Sequence, residues 1–272
     1  MSVIARVSIF LALLLVALFL FAQFVRRTSM FFPARYPIGD WNDATLSVKP
    51  SDENFTTSDG VRLHAWLFRA HDVNAPMLVW MHGNAGNITE RAPMAAELAR
   101  RGVSVLLFDW RGYGKSDGSP TESSLYQDAL AAYDFARTKA SGDIALYGES
   151  LGGPYAAYVA AHHRVRCVVI ENSFPSLTAL GNRLYHPIPL GWFAPFAMTT
   201  TSWLNAAHTP VLVMHGKHDQ VIPFALGREL FDGLTVKKEM FVSETAGHCE
   251  IPAVEGQRYY DEVVRFITQN HF

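Results

Sequence analysis

Between an apolar run that ends at Tyr147 and a stretch of small residues that begins at Gly152, the chain carries Gly148-Glu149-Ser150-Leu151-Gly152. Glycines on both sides of one serine let a strand and a helix meet in a sharp turn, and that turn pushes the serine hydroxyl out above its neighbours. Alone, the pattern could be a tight glycine turn that happens to contain a serine. Here residues 144–147 read as a strand before it and 152–161 as a small-residue helix behind it, which is the setting in which the pattern carries chemical meaning.

The remaining segments supply a sheet for that turn to stand on. Residues 77–81, 103–109, 144–147, 165–170, 211–214 and 239–242 are short and rich in branched or aromatic side chains, as strands buried on both faces require, and helical patterns separate most of them. The order predicts an α/β domain built on a largely parallel sheet. An antiparallel start is expected from residues 46–49 and 61–69 across the turn Ser58-Asp59-Gly60. Asn87 with Glu90 has capping-box spacing before a helix over 94–100. Ser119-Pro120-Thr121-Glu122 offers an N-cap, a proline at the first helical position and an acid at the third, for a helix running to about Lys139. Residues 173–209 break the pattern with four prolines and the aromatics Phe174, Tyr185, Trp192, Phe193, Phe196 and Trp203. An apolar insert of this length reads as a cap over a site, with part of the aromatic set lining a pocket.

Composition limits the function classes. With 272 residues, 49% of them hydrophobic and 18% charged, the chain can bury one large core. A formal net charge of −2 with no basic block in the body provides nothing to track a phosphate backbone, which excludes nucleic acid as the main partner. Two cysteines, Cys167 and Cys249, are too few for a disulfide scaffold or a cysteine-built zinc site.

The first segment has a different character. Residues 7–25 are apolar except for Ser8 and Gln23, about 19 residues or roughly 28 Å of helix, enough for a bilayer core. Arg6 precedes the run, Arg26 and Arg27 follow it, and no small-x-small pair suits a signal peptidase, so residues 1–30 read as an uncleaved single-pass anchor ahead of a domain over 31–272. Arg6 and the α-amino group nearly balance Arg26, Arg27 and Arg35, which leaves the side of the membrane open.

A serine hydroxyl needs an imidazole to take its proton and a carboxylate to orient that imidazole. His248, in Ala246-Gly247-His248 past the last strand, is the expected base. Asp219, in His215-Gly216-Lys217-His218-Asp219 past the penultimate strand, is the expected acid, giving the chain order Ser, Asp, His. Asp109 and Glu244 are its rivals; Asp109 reads instead as pairing with the Arg111-Gly112-Tyr113-Gly114 turn. The backbone N–H of Leu151, with that of Asn84 in His82-Gly83-Asn84-Ala85-Gly86-Asn87, is expected to form the oxyanion hole, and Ala85 is the alternative to Asn84. His215 and His218 beside Asp219 suggest metal ligands, but a turn does not fix them on one face, and no metal site is expected.

Taken together, these blocks resemble the α/β-hydrolase superfamily, and within it a membrane-anchored branch similar to the bud-emergence-type serine hydrolases. The resemblance covers nearly everything after residue 50 and rests on the 82–87 turn, Phe108-Asp109-Trp110-Arg111-Gly112-Tyr113-Gly114-Lys115-Ser116, the serine turn, residues 215–223 and Gly247-His248. It implies an eight-stranded, mostly parallel sheet, a triad of Ser150, Asp219 and His248, and no cofactor. It implies an acyl substrate, small-molecule or lipid, cleaved as an ester or thioester, with peptide cleavage as an alternative. A non-catalytic membrane scaffold or receptor on the same fold is the alternative of another class. Cys249, directly after the base, departs from the pattern.

Overall fold

The computed structural model describes residues 2–28, 30–188 and 198–269. In chain order these form α1 (Val3–Thr28), β1 (Phe32–Pro33), β2 (Ser51–Thr56), β3 (Arg62–Phe68), β4 (Met77–Met81), β5 (Ala85–Gly86), α2 (Ala92–Arg100), β6 (Ser104–Phe108), α3 (Glu122–Lys139), β7 (Ile144–Glu149), α4 (Gly152–His162), β8 (Val168–Glu171), α5 (Leu177–Leu184), α6 (Thr200–Ala207), β9 (Val211–Gly216), α7 (Phe224–Gly233), β10 (Lys238–Ser243), α8 (Ile251–Glu255) and α9 (Gln257–Thr268).

Eight strands make one sheet in the order β10-β9-β8-β7-β4-β6-β3-β2. Pairing is parallel from β10 through β6; β3 joins β6, and β2 joins β3, antiparallel. Successive residues of a central strand face opposite cores. Met77, Val79 and Met81 pack on one side with the alanines of α3 and α4, and Leu78 and Trp80 on the other with α2 and α9. Each such side chain contributes roughly 1.5–3 kcal/mol of burial. From β4 the chain moves out to β6, then returns to lay β7 on the other side of β4. Strand order therefore reverses between β4 and β7, the place where open α/β sheets present a crevice beyond their C-terminal ends.

Several local expectations shift. The first sheet strand is β2, over 51–56 and not 46–49, because Asn42 caps a 3₁₀ turn at Asp43–Thr45 and pairing with β3 begins only at Ser51 opposite Leu67. Leu46 and Val48 still pack on the core, from irregular chain. Asn87 caps a 3₁₀ turn, Ile88–Glu90, rather than α2 itself. The cap of α3 is Thr121, in a reciprocal box with Ser124, so Pro120 precedes the helix. Asp109 meets the 111–114 turn by packing and not by an ion pair: its carboxyl lies against Gly114, where a Cβ would come within 1.9 Å of Oδ2, its Oδ1 accepts from the Ile88 N–H at 3.0 Å, and Arg111 binds Asp59 and Asp128. Cys167 and Cys249 are free thiols. In the expected cap, Phe174 is core and Trp203 of α6 packs on Tyr126 and Tyr158, while Trp192, Phe193 and Phe196 lie outside the described residues.

At the C-terminal ends of β7 and β8 the register sets Glu149 opposite Glu171, two buried carboxyls side by side. They resolve the conflict differently. Burial works against ionisation of Glu149, but Arg91 overrides it with bonds of 2.6 Å from Nη2 and 3.2 Å from Nε and holds the carboxyl down at about 2. Glu171 has no such partner. Burial first, and then the charge on Glu149, push it up to about 8. Its Oε2 accepts from the Tyr147 hydroxyl, and its Oε1, without a hydrogen-bond partner among the described residues, belongs to a residue lining a cavity of about 160 Å³ shared with Trp80, Met94 and Cys249.

These directions carry opposite signs for stability. Below pH 4.5 Glu171 is protonated both in the folded and in the unfolded chain; between 4.5 and about 8 only the unfolded chain releases its proton, so rising pH favours unfolding. The Glu149 contribution is present above 4.5 and is lost as pH falls toward 2. Glu171→Gln is therefore expected to flatten the decline in melting temperature between pH 5 and pH 8 by roughly 2 °C or more, as read by thermal scans in detergent. An unchanged slope would show that Glu171 is ionised in the folded protein.

Candidate active site

Ser150 sits where β7 turns into α4, with φ at +53°. A serine in this left-handed region is strained, by order 1 kcal/mol or more, and persists only where its surroundings impose it. The backbone supplies that constraint. The Ser150 N–H donates to the Glu171 carbonyl at 2.8 Å, and the Ser173 hydroxyl donates to the Ser150 carbonyl at 2.8 Å. The flanking glycines are required by close approach. A Cβ on Gly152 would lie 1.9 Å from the Met81 carbonyl oxygen, and one on Gly148 would lie 2.6 Å from Gly153 Cα. With no side chains in the way, β7, β4 and α4 meet at backbone distance and the hydroxyl points out of the turn.

Two loops from the neighbouring strands reach the serine. His248, in the loop after β10, places Nε2 3.0 Å from Ser150 Oγ and Nδ1 2.8 Å from Asp219 Oδ2. Asp219 comes from the loop after β9. Its Oδ2 also accepts from Asn172 Nδ2 at 2.5 Å, while its Oδ1 accepts from the N–H groups of Val221 at 2.9 Å and Ile222 at 2.8 Å. Burial alone would raise this carboxyl, but the donors, His248 foremost, hold it below the usual carboxylate range. An ionised, acceptor-only Asp219 requires the proton on His248 Nδ1, which leaves Nε2 free to accept from the serine hydroxyl. The rival acids are elsewhere: Asp109 is bound at Ile88, and Glu244 is exposed and paired with Lys217 at 2.8 Å.

On the other side of Ser150 lies the turn after β4. A Cβ on Gly83 would sit 3.2 Å from Glu149 Oε1 and 3.4 Å from Ser150 Cβ, so Gly83 packs against the serine turn. The Asn84 carbonyl accepts from the Tyr113 hydroxyl at 2.7 Å, and the Asn84 amide donates outward to the Met30 carbonyl at 3.1 Å. His82 is fully buried; burial lowers it to about 4, so its imidazole is neutral, with Nδ1 2.8 Å from the Gly83 carbonyl. Among the described residues no group of three or more His, Cys, Asp or Glu is disposed to hold a metal ion. His215 instead sets Nε2 2.9 Å from the Ile222 carbonyl, bracing the loop that carries Asp219.

Two participants escaped the sequence reading. Asn172, at φ +47° just after β8, steers Asp219; an asparagine closing a strand, of a residue type that tolerates left-handed backbone, was the available signal. Arg91 fastens the serine turn to the loop after β4 through Glu149, and nothing in its local sequence distinguishes it from a surface arginine at a helix start.

At the N-terminus, Val3–Phe24 is long and apolar enough to cross a membrane, with a mean hydropathy of 2.8, a test that a signal sequence also passes. The model of the family described as the alpha/beta hydrolase fold matches residues 76–198, which takes in Ser150 and stops before Asp219 and His248. The chain is 32% identical over 260 residues to the uncharacterized protein Rv2307c of Mycobacterium tuberculosis, across 93% of this chain and 90% of that one. Alpha/beta hydrolase domain-containing protein 17B of Homo sapiens is 29% identical over 217 residues, 78% of this chain and 73% of the human one. Among solved structures, the esterase Pf2001 of Pyrococcus furiosus superposes with a TM-score of 0.70 at 22% identity, over 87% of this chain and 97% of that one, a likeness of fold. Sheet topology, the family match and relatives that span most of the sequence agree: this chain belongs to the α/β-hydrolase superfamily.

Proposed function

We propose that the chain is a serine hydrolase that cleaves carboxylic esters or thioesters through an acyl-enzyme. The observation that supports this most directly is the unbroken run of contacts from Ser150 Oγ to His248 Nε2 and from His248 Nδ1 to Asp219 Oδ2, at 3.0 and 2.8 Å. In this reading Ser150 attacks an acyl carbonyl while His248 takes its proton. Asp219 keeps the imidazole in the required tautomer and stabilises the imidazolium. The N–H groups of Leu151 and Asn84 hold the oxyanion. His248 then protonates the leaving alcohol or thiol, and a water activated by the same imidazole releases the acid.

The membrane part of the reading rests on α1. We read it as a single-pass anchor that keeps the domain beside acyl substrates held in a bilayer, lipid esters or acylated proteins, in line with the resemblance to the anchored bud-emergence-type branch. Of the expected cap, 173–209, α5 and α6 are read as part of the cover of the acyl pocket, and residues 189–197 lie outside the described residues. The Pyrococcus protein is itself described as an esterase.

Fluorophosphonate labelling of the detergent-solubilised chain is expected in wild type and absent in Ser150→Ala, which should also lose at least about 10³-fold in ester kcat. Folded wild type that takes no label would favour a retired, non-catalytic hydrolase fold. Asp219→Asn is expected to lower kcat by roughly 10²–10⁴-fold with KM little changed, since the imidazole loses its oriented tautomer and not its contact with substrate. In an ester and thioester panel from acetyl to palmitoyl, an optimum at long chains presented in micelles is expected; equal turnover of short soluble esters alone would remove the lipid assignment.

A further inference from the structure

The segment that follows α1 folds directly onto the loop after β4. Met30 is buried in the core, and its carbonyl accepts from Asn84 Nδ2 at 3.1 Å. The Phe32 N–H donates to the Asn84 carbonyl at 2.8 Å, and the Ala34 N–H donates to the Gly86 carbonyl at 3.0 Å. Residues 32–33 thus run parallel to β5, Phe32 opposite Ala85 and Pro33 opposite Gly86. Asn87 Nδ2 closes the far end by donating to the carbonyls of Ala34 at 3.0 Å and Ile38 at 2.8 Å.

The same segment is anchored on its other edge. Gly114 N–H donates to the Ala34 carbonyl at 3.0 Å, Tyr36 N–H donates to the Gly114 carbonyl at 2.9 Å, and Arg35 Nη2 donates to the Gly118 carbonyl at 2.8 Å. Residues 30–38 are therefore a strap between two loops, not a free tether. What the strap grips is a glycine-containing turn in which Gly86 stands at φ +76°. From the inside that turn is reached by Arg91 Nη1, which donates to the carbonyls of Ala85 and Asn87 at 3.4 Å each, long for such bonds. Shorter bonds hold its two ends from the inside, Trp110 Nε1 to the His82 carbonyl at 3.0 Å and His82 Nδ1 2.8 Å from the Gly83 carbonyl, whereas the carbonyls of Asn84 and Gly86 are met by the strap and, at Asn84, by the Tyr113 hydroxyl.

A donor to a developing oxyanion must be aimed to within about half an ångström to be effective. We propose that residues 30–38 are positioning residues of the active site: by fixing the carbonyls of Asn84 and Gly86, and the Asn84 side chain, they hold the Asn84 Cα and so steady the adjoining 83–84 peptide, which presents the Asn84 N–H. The carbonyl of that peptide is itself met by His82 Nδ1. This assignment rests on the serine-hydrolase reading above. It makes the stretch between the apolar helix and the domain part of the catalytic apparatus, so that cutting or pulling on it acts on turnover as well as on location.

Phe32→Pro tests it in the full-length chain in detergent. The substitution deletes the N–H bonded to Asn84, while the Phe32 side chain is 53% exposed and contributes little packing. With a short soluble ester, kcat is expected to fall tenfold or more, with KM within about twofold, and fluorophosphonate labelling to slow in step. Phe32→Ala keeps the N–H and is expected to lose far less kcat than Phe32→Pro, whereas Val73→Ala, exposed and outside both the strap and the site, is the wild-type reference. If Phe32→Pro does not accumulate as folded protein, Ala34→Pro, which deletes only the donor to Gly86, is read in the same way. Wild-type kcat in a folded proline variant overturns the assignment, as does failure of both to fold, which would make the strap a folding element. Wild type that takes no label and turns over no ester brings down the hydrolase reading itself, and this assignment with it.

Discussion

The backbones of β7, β4 and α4 touch at Ser150 with no side chain between them, and the other parts of the site are arranged around that contact. Contacts made by glycine backbone cannot be trimmed or repacked as a leucine cluster can. A single methyl at Gly152 would collide with the end of β4. The strained serine is in turn held by a carbonyl from β8 and a hydroxyl from the loop after it. Three adjacent strands, β4, β7 and β8, together with α4 and the loop after β8, thus cooperate to hold one residue in a conformation it would not choose.

Charge around the turn is handled by two different means. Asp219 stays ionised because four donors converge on it. Glu149 stays ionised because one guanidinium is clamped to it, and that guanidinium belongs to the start of α2, just past the loop that packs on Ser150. Glu171, between them, avoids a third negative charge by keeping its proton. Beneath the turn, Arg91 is shared between the buried Glu149 and the more exposed Glu90, while Asp219 is the carboxylate bonded to His248.

Much of this could be read in the letters. Short apolar runs identified the central strands because residues buried on both faces allow few other side chains, and the chain order Ser150, Asp219, His248 identified the loops the structure brings together. The errors lie at the sheet's margin and at helix starts. Residues 46–49 have the apolar content of a strand, yet edge pairing depends on the register of β3, which composition does not encode. At α3 both Ser119 and Thr121 had capping chemistry, and only backbone direction selects between them. Asn172 and Arg91 act across 47 and 58 residues of chain, on Asp219 and Glu149 respectively. Such partnerships arise from strand order, and no local pattern records them.

Met81 lies opposite Gly148 where β4 and β7 pair in parallel. Counting forward from that rung, Asn84 and Leu151 are each three residues beyond it, one on each chain. Neighbouring strands in any sheet are spaced at about 4.8 Å by their ladder of amide bonds. On the serine-hydrolase reading, the two N–H groups that would grip an oxygen thus start from neighbouring strands, as from two rails, and are brought to their final separation by the turns that leave them. Peripheral loops can then lengthen without moving either rail, so diversity among such proteins has to be written into what surrounds them.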